Sequence, residues 1–178
     1  MNKEDTSVIF TELKSKNGKK IAVAELNSPK SLNALSLPMI LCLTEQLLSW
    51  QEDENVAVVV LRGAGNRAFC AGGDVVSLYH HLKKYRLKNE NAHISDEKIK
   101  QSKAFEFFHS EYQLDQLIHG YTKPILVWAD GYVMGGGVGL IAGASHRVVS
   151  ENTLMAMPEV TIGLYPDVGA SWFLNKMP

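Results

Sequence analysis

The 178-residue sequence predicts an α/β fold, and three observations carry that prediction. Short β-rich segments alternate with stretches of helical periodicity, two of those segments are continuous apolar runs of strand length, and glycine-rich turns come after both runs. Hydrophobic residues make up 46% of the chain, with no fixed-period repeat, low-complexity tract or shift in composition. Residues 1–178 therefore read as one domain with a core of its own.

"SVIFTEL" (Ser7 to Leu13) and "KKIAVAEL" (Lys19 to Leu26) are rich in strand formers, and Asn17-Gly18 between them marks a hairpin. After the irregular "NSPKSLNAL", Ser36 can cap a helix whose first turn holds Pro38. Met39, Ile40, Leu43, Leu47 and Leu48 form its apolar stripe, which should pack on the hairpin, with Cys42 in the core. "ENVAVVVLRG" (Glu54 to Gly63) and "KPILVWADG" (Lys123 to Gly131) show no polar alternation, which predicts strands covered on both faces. From Tyr79 to Asn91 the chain is polar and basic without a clean period. Ser95 to Gly120 carries apolar residues at Ile99, Phe105, Phe108, Tyr112, Leu114, Leu117 and Ile118, and predicts one long helix ending at Gly120.

A formal charge of −1 removes the broad basic footprint of a nucleic-acid binder, and the local run "HHLKKYRLK" (His80 to Lys88) reads as a solvated helix face or loop. Two distant cysteines, no secretory leader and no apolar run of membrane-spanning length predict a cytoplasmic protein without a membrane partner. His80, His81, His93, His109, His119 and His146 show no ligand spacing, so no metal is expected.

The stretch "DGYVMGGGVGL" places Gly131, Gly135, Gly136, Gly137 and Gly139 between a buried strand and the short apolar helix of "VGLIAGAS". Such a turn offers free amides at a helix N-terminus, where an oxyanion would sit well; close packing of helix on strand explains it equally. It matches neither a dinucleotide fingerprint nor a phosphate loop. "RAFCAGGDV" (Arg67 to Val75) is a second glycine turn after a buried strand. Two strand ends could then each present one N–H to a common point, the geometry of an oxyanion hole. Cys70 reads as a small buried residue, since no histidine is paired with it. Glu159 follows Pro158 and Asp167 follows Pro166. By local rules alone Asp167 is a helix N-cap for "VGASWFLNK", Glu159 a first-turn acid and Glu111 an exposed helix residue.

"NALSLPMI", "FCAGGDV", "GYVMGGGVGL" and "MPEVTIGLYPDVGAS" together resemble the crotonase (enoyl-CoA hydratase/isomerase) superfamily, and most closely its 3-hydroxyisobutyryl-CoA hydrolase branch. The resemblance implies a crotonase-like spiral of ββα units. It implies that the amides of Gly73 and Gly136 polarise an acyl-CoA carbonyl, that Glu159 does acid–base or nucleophilic work, and that Asp167 and Glu111 contact substrate. Lys30, Ala34 and Ala71 match positions along which coenzyme A runs. Hydratases of the superfamily carry a second glutamate just after the triple glycine, where this chain has Gly139. Asp167 then takes over as second acid, and the reaction implied is hydrolysis of a short 3-hydroxyacyl-CoA, as in valine breakdown. A hydratase or isomerase, or a non-catalytic acyl-CoA-binding remnant, are the alternatives. No cofactor is implied beyond the coenzyme A of the substrate, and a homo-oligomer is allowed. Superfamily members continue past the last motif with helices that close the pocket, so that part is expected to be missing here.

Overall fold

The computed structural model describes residues 6–88 and 96–176. In chain order the elements are β1 (Val8–Lys14), β2 (Lys20–Leu26), α1 (Leu37–Glu52), β3 (Val56–Gly63), β4 (Ala68–Cys70), α2 (Val75–Lys88), α3 (Asp96–Lys100) and α4 (Lys103–His119). They continue with β5 (Ile125–Ala129), β6 (Tyr132–Met134), α5 (Gly136–Gly143), β7 (His146–Val149), β8 (Leu154–Ala156) and α6 (Ala170–Phe173). A five-stranded sheet runs β1-β2-β3-β5-β7 and a three-stranded sheet runs β4-β6-β8. From β3 onward successive strands alternate between the two sheets, and all of these pairings are parallel. Helices return the chain after β4 and β6, which makes each turn of the spiral a ββα unit.

The hairpin forms where Asn17-Gly18 predicts it, with Lys14 opposite Lys20. Ser36 caps α1 by accepting from the Met39 amide at 3.4 Å, and Met39, Ile40, Leu43, Leu47 and Trp50 are its buried face. Trp50 packs edge-on against Phe10 of the hairpin, and its indole N–H donates to Glu12 at 3.0 Å. Cys42 is half-buried against this core.

The strands are not covered equally on both faces. Val59 and Leu61 of β3 and Ile125, Val127 and Ala129 of β5 are buried, whereas Val60 and Leu126 are half-buried and Arg62 and Trp128 are exposed. Valine and leucine fill both faces of these strands, but the second sheet packs on one. The long helix expected from Ser95 is instead α3 and α4, separated at Gln101 and Ser102. Ser102 has extended backbone and accepts from the Phe105 amide at 3.2 Å, so a cap interrupts the helical period. The polar run from Tyr79 lies on α2, which begins where the Asp74 carboxylate accepts from the Ser77 amide at 3.0 Å. The end of that run, Asn89 to Asn91, and His93 lie outside the described residues.

Candidate active site

Parallel pairing of β4 with β6 sets their C-terminal ends side by side. The turn Ala71-Gly72-Gly73 leaves β4, and Gly135 leaves β6 with φ +49°, a region in which a side chain would be strained. A methyl group added at Gly72 would stand 3.2 Å from the Met134 carbonyl oxygen and 3.8 Å from the Gly136 nitrogen. Gly136 is the first residue of α5, so its amide has no acceptor within the helix. Among the described residues neither the Gly73 nor the Gly136 amide donates to another protein group. Leu35 holds the first turn from outside: its amide donates to Gly72 O and its carbonyl accepts from the Asp74 amide, each at 2.8 Å. Asn33 anchors that strap, donating to Ala64 O at 3.0 Å and Ala68 O at 2.9 Å while accepting from the Ser28 amide at 2.9 Å.

A cavity of about 240 Å³ opens onto both turns, and Ala71, Gly73, Glu111, Gly136, Glu159 and Asp167 are among the residues that line it. Glu111, on α4, is only 3% exposed. A methyl group at Gly136 would overlap its Oε1, and one at Gly73 would stand 4.0 Å from the same atom. Burial first, then the nearby Asp115, Asp167 and Glu159, pushes the Glu111 carboxyl up to about 8. Glu159 opens the short 3-10 turn Glu159–Ile162 and is 8% exposed. Its Oε2 is buried with no hydrogen-bond partner among the described residues, and its Oε1 lies 2.5 Å from where a methyl group on Gly135 would be. Burial, with a smaller contribution from Asp167, holds the Glu159 carboxyl above its usual range. Asp167 Oδ2 accepts from the Tyr112 hydroxyl at 2.7 Å. Burial and that bond push the Tyr112 phenol up.

Gly73, Gly136, Glu111, Glu159, Asp167 and Ala71 thus share one cavity. Lys30, exposed in the turn Pro29–Ser31, and half-buried Ala34 do not line it. Two expectations from local rules change and one, for Glu159, holds with a different kind of turn. Glu111 is buried, because it lies on the face of α4, with Phe107, Leu114 and Ile118, that packs against α1, α2 and α5. Asp167 does not cap α6 with its side chain: Gly169 is the N-cap, and the Asp167 carboxylate turns to Tyr112 instead. Glu159 is a first-turn acid but of a 3-10 turn, and it faces the glycines. Cys70 is fully buried and its thiol is pushed up to about 12 by burial, which removes it as a nucleophile.

Local reading missed Tyr112 and Asp115. Asp115 is four residues beyond Glu111 and hence on the same helix face, a spacing visible in "EYQLD". Both of its oxygens are buried, with no hydrogen-bond partner among the described residues. A methyl group at Gly139 would stand 2.9 Å from Asp115 Oδ2 and 2.8 Å from Val168 Cβ. The space that a side chain at 139 would need is therefore filled by Asp115 of α4 and by Val168. Asp115 also borders a larger cavity of about 590 Å³, and Tyr112 and Asp167 border it too. Among the described residues no group of three or more histidine, cysteine or acidic side chains could hold a metal ion. No helix among them is long and apolar enough to cross a membrane.

Strands alternating between two sheets, with glycine turns meeting at one cavity, define the crotonase fold. The description of the enoyl-CoA hydratase/isomerase family matches residues 21–178, and the chain belongs to that family. A crystal structure described as a carnitinyl-CoA dehydratase from Mycobacterium thermoresistibile superposes with a TM-score of 0.81 at 39% identity, over 98% of this chain and 45% of that one. The 3-hydroxyisobutyryl-CoA hydrolase of Xenopus tropicalis is 44% identical over 156 residues, which cover 88% of this chain and 37% of the relative. The small ribosomal subunit protein mS47 of Neurospora crassa is 41% identical over 175 residues, 98% of this chain and 31% of the relative. The chain spans about a third of the length of these curated relatives.

Proposed function

We propose that the chain supplies the catalytic core for hydrolysis of a short 3-hydroxyacyl-CoA thioester, with 3-hydroxyisobutyryl-CoA as the substrate to test first. One observation carries this reading: two unengaged amides, of Gly73 and Gly136, and the carboxyls of Glu159, Asp167 and Glu111 meet at a single cavity. The relatives named as 3-hydroxyisobutyryl-CoA hydrolases support the choice of substrate.

In this reading the thioester oxygen accepts from both amides, which stabilise the negative charge that develops as the carbonyl carbon becomes tetrahedral; each donor is worth about 3–4 kcal/mol of barrier. Water attacks that carbon, the C–S bond breaks, and coenzyme A leaves as a thiolate that takes up the proton water gave. Glu159 carries that proton as general base, its raised affinity for protons suiting the role. A direct attack by Glu159 would give a mixed anhydride that water then cleaves. Hydroxylamine separates the two routes, because it converts such an anhydride into a glutamyl hydroxamate detectable by protein mass. Asp167, oriented by Tyr112, accepts from the 3-hydroxyl or from the attacking water. Gly139 removes the second carboxylate that alkene hydration uses on α5. Ala71 fits a contact with the pantetheine arm. For Lys30 and Ala34 the proposal is a contact with coenzyme A outside the cavity.

The test is release of free thiol from 3-hydroxyisobutyryl-CoA by the longest chain that contains this sequence. Glu159→Gln should cut turnover roughly 100-fold or more, the range general acid–base catalysis supplies. Consumption of enoyl-CoA absorbance with no thiol would favour a hydratase instead. Binding of acyl-CoA with no turnover would favour a non-catalytic role, the outcome to which the likeness to a ribosomal protein points.

A further inference from the structure

Asp115 lies on α4 one turn beyond Glu111, and its carboxyl and Val168 both crowd the point where a side chain on Gly139 of α5 would stand. A methyl group at Gly139 would stand 2.9 Å and 3.1 Å from its two oxygens. Among the described residues neither oxygen has a hydrogen-bond partner, and both are buried. A carboxylate so placed has lost its water and gained no donor, and the protonated form is the one such surroundings favour.

Of the titratable groups around it, Asp167 opposes its ionisation. Glu111, Tyr112 and His119 lie on α4 itself, Tyr165 and Asp167 on the segment before α6, Cys70 on β4 and Glu159 on the 3-10 turn. The residues of α5 contribute no titratable side chain. Among the described residues no lysine or arginine lines either of the two cavities that meet at Asp167. Burial first and Asp167 second push the Asp115 carboxyl up to about 8. Asp115 is in turn the first charge, after burial, that raises Glu111.

We infer that Asp115 is a positioning residue that works as a neutral acid: uncharged, it fills the place beside Gly139 and leaves the negative charge of the cluster to Asp167 and Glu159, which face the smaller cavity. Its oxygens are buried and it does not line the smaller cavity, so it acts through Asp167. On the alkaline side Asp115 loses its proton and a further negative charge stands behind Asp167. That charge opposes both the developing oxyanion and the departing thiolate, and turnover falls. The catalytic consequence rests on the thioester-hydrolase reading, whereas the protonation itself does not.

Two measurements therefore test it separately. In wild-type protein labelled with ¹³C at aspartate carboxyls, one resonance should titrate near pH 8 and should be missing from Asp115→Asn; titration of every aspartate below pH 6 overturns the inference whatever the enzyme does. The wild-type titration needs no variant to fold. In the thiol-release assay Asp115→Asn, which keeps the shape and cannot ionise, should hold wild-type turnover at pH 7 and move the alkaline limb of the pH profile upward by about one unit or more. An unchanged alkaline limb, or loss of turnover at pH 7 in a folded Asp115→Asn protein, overturns it. Absence of thiol release from the wild type would count against the hydrolase reading and leave the carboxyl titration to decide the role of Asp115.

Discussion

Tyr112 and Asp167, 55 residues apart in sequence, meet through a 2.7 Å hydrogen bond in which the phenol donates to Oδ2. The bond ties α4 to the segment before α6 and fixes the orientation of a carboxylate that borders the glycine turns. Tyr112→Phe keeps the ring and removes the donor. Hydrogen bonds to charged groups contribute about 1.5–3 kcal/mol net, and the exposed position of Tyr112 sets the expectation at the low end. Turnover in the thiol-release assay should fall roughly 10-fold with little change in KM for coenzyme A esters. Unchanged turnover would remove Asp167 orientation from the mechanism.

Neighbouring glycines of α5 should fail in different ways. A methyl group at Gly136 would overlap Glu111 Oε1, the mobile end of a side chain, and would block the donor. One at Gly137 would stand 2.5 Å from the Cys70 carbonyl oxygen and 2.9 Å from Cys70 Cβ, atoms that cannot step aside. Gly136→Ala should lose activity roughly 100-fold while melting close to the wild type. Gly137→Ala should lose about 1–3 kcal/mol of stability, read by urea unfolding. Equal melting temperatures for the two variants would contradict this division.

Glu111 predicts a pH dependence of stability. Its folded-state value of about 8 lies above the unfolded 4.5, so the folded protein holds a proton that the unfolded chain releases. Its contribution is fully present below pH 4.5, declines as pH rises toward 8 and is level above. Glu111→Gln cannot ionise and should lose less stability than the wild type between pH 5 and pH 8. Parallel curves for the two proteins, from urea unfolding at a series of pH values, would show that Glu111 is not the group responsible.

Asn33 is fully buried, has φ +56° and makes three side-chain hydrogen bonds that hold the strap beside Gly73. Asn33→Ala leaves buried carbonyls and an amide unpaired and should cost about 2–4 kcal/mol. Asn33→Gly loses the same bonds but tolerates the backbone, and should be the less damaging of the two. The midpoint of chemical unfolding orders them; the reverse order would mean that the strap relaxes.

Much of this architecture was legible from the chain. Asn17-Gly18, the Ser36 cap and the apolar runs around Val59 and Val127 are local signals with local causes, and they located the hairpin, α1, β3 and β5. The glycine turns and the family motifs named Gly73, Gly136, Glu159, Asp167 and Glu111, which one cavity brings together. Burial of Glu111 was not legible, because it depends on three helices closing over one face of α4, and no local period encodes that. Asp115 went unread for a similar reason. Its significance comes from the missing side chain at Gly139, which is distant in sequence and meaningful only once α4 lies against α5.

Helix α5 has glycines at 136, 137, 139 and 143, each less helix-prone than alanine by about 1 kcal/mol, and its residues from Gly136 to Ile141 are nonetheless buried. So glycine-rich a segment has little tendency to coil alone and is held by its surroundings. Deuterium should therefore reach its inner amides only when the whole domain opens, at a rate that reports global stability. The first amide of the same turn has no acceptor and should exchange early until an acyl oxygen covers it, so a single peptide would register both the integrity of the fold and the occupancy of the site.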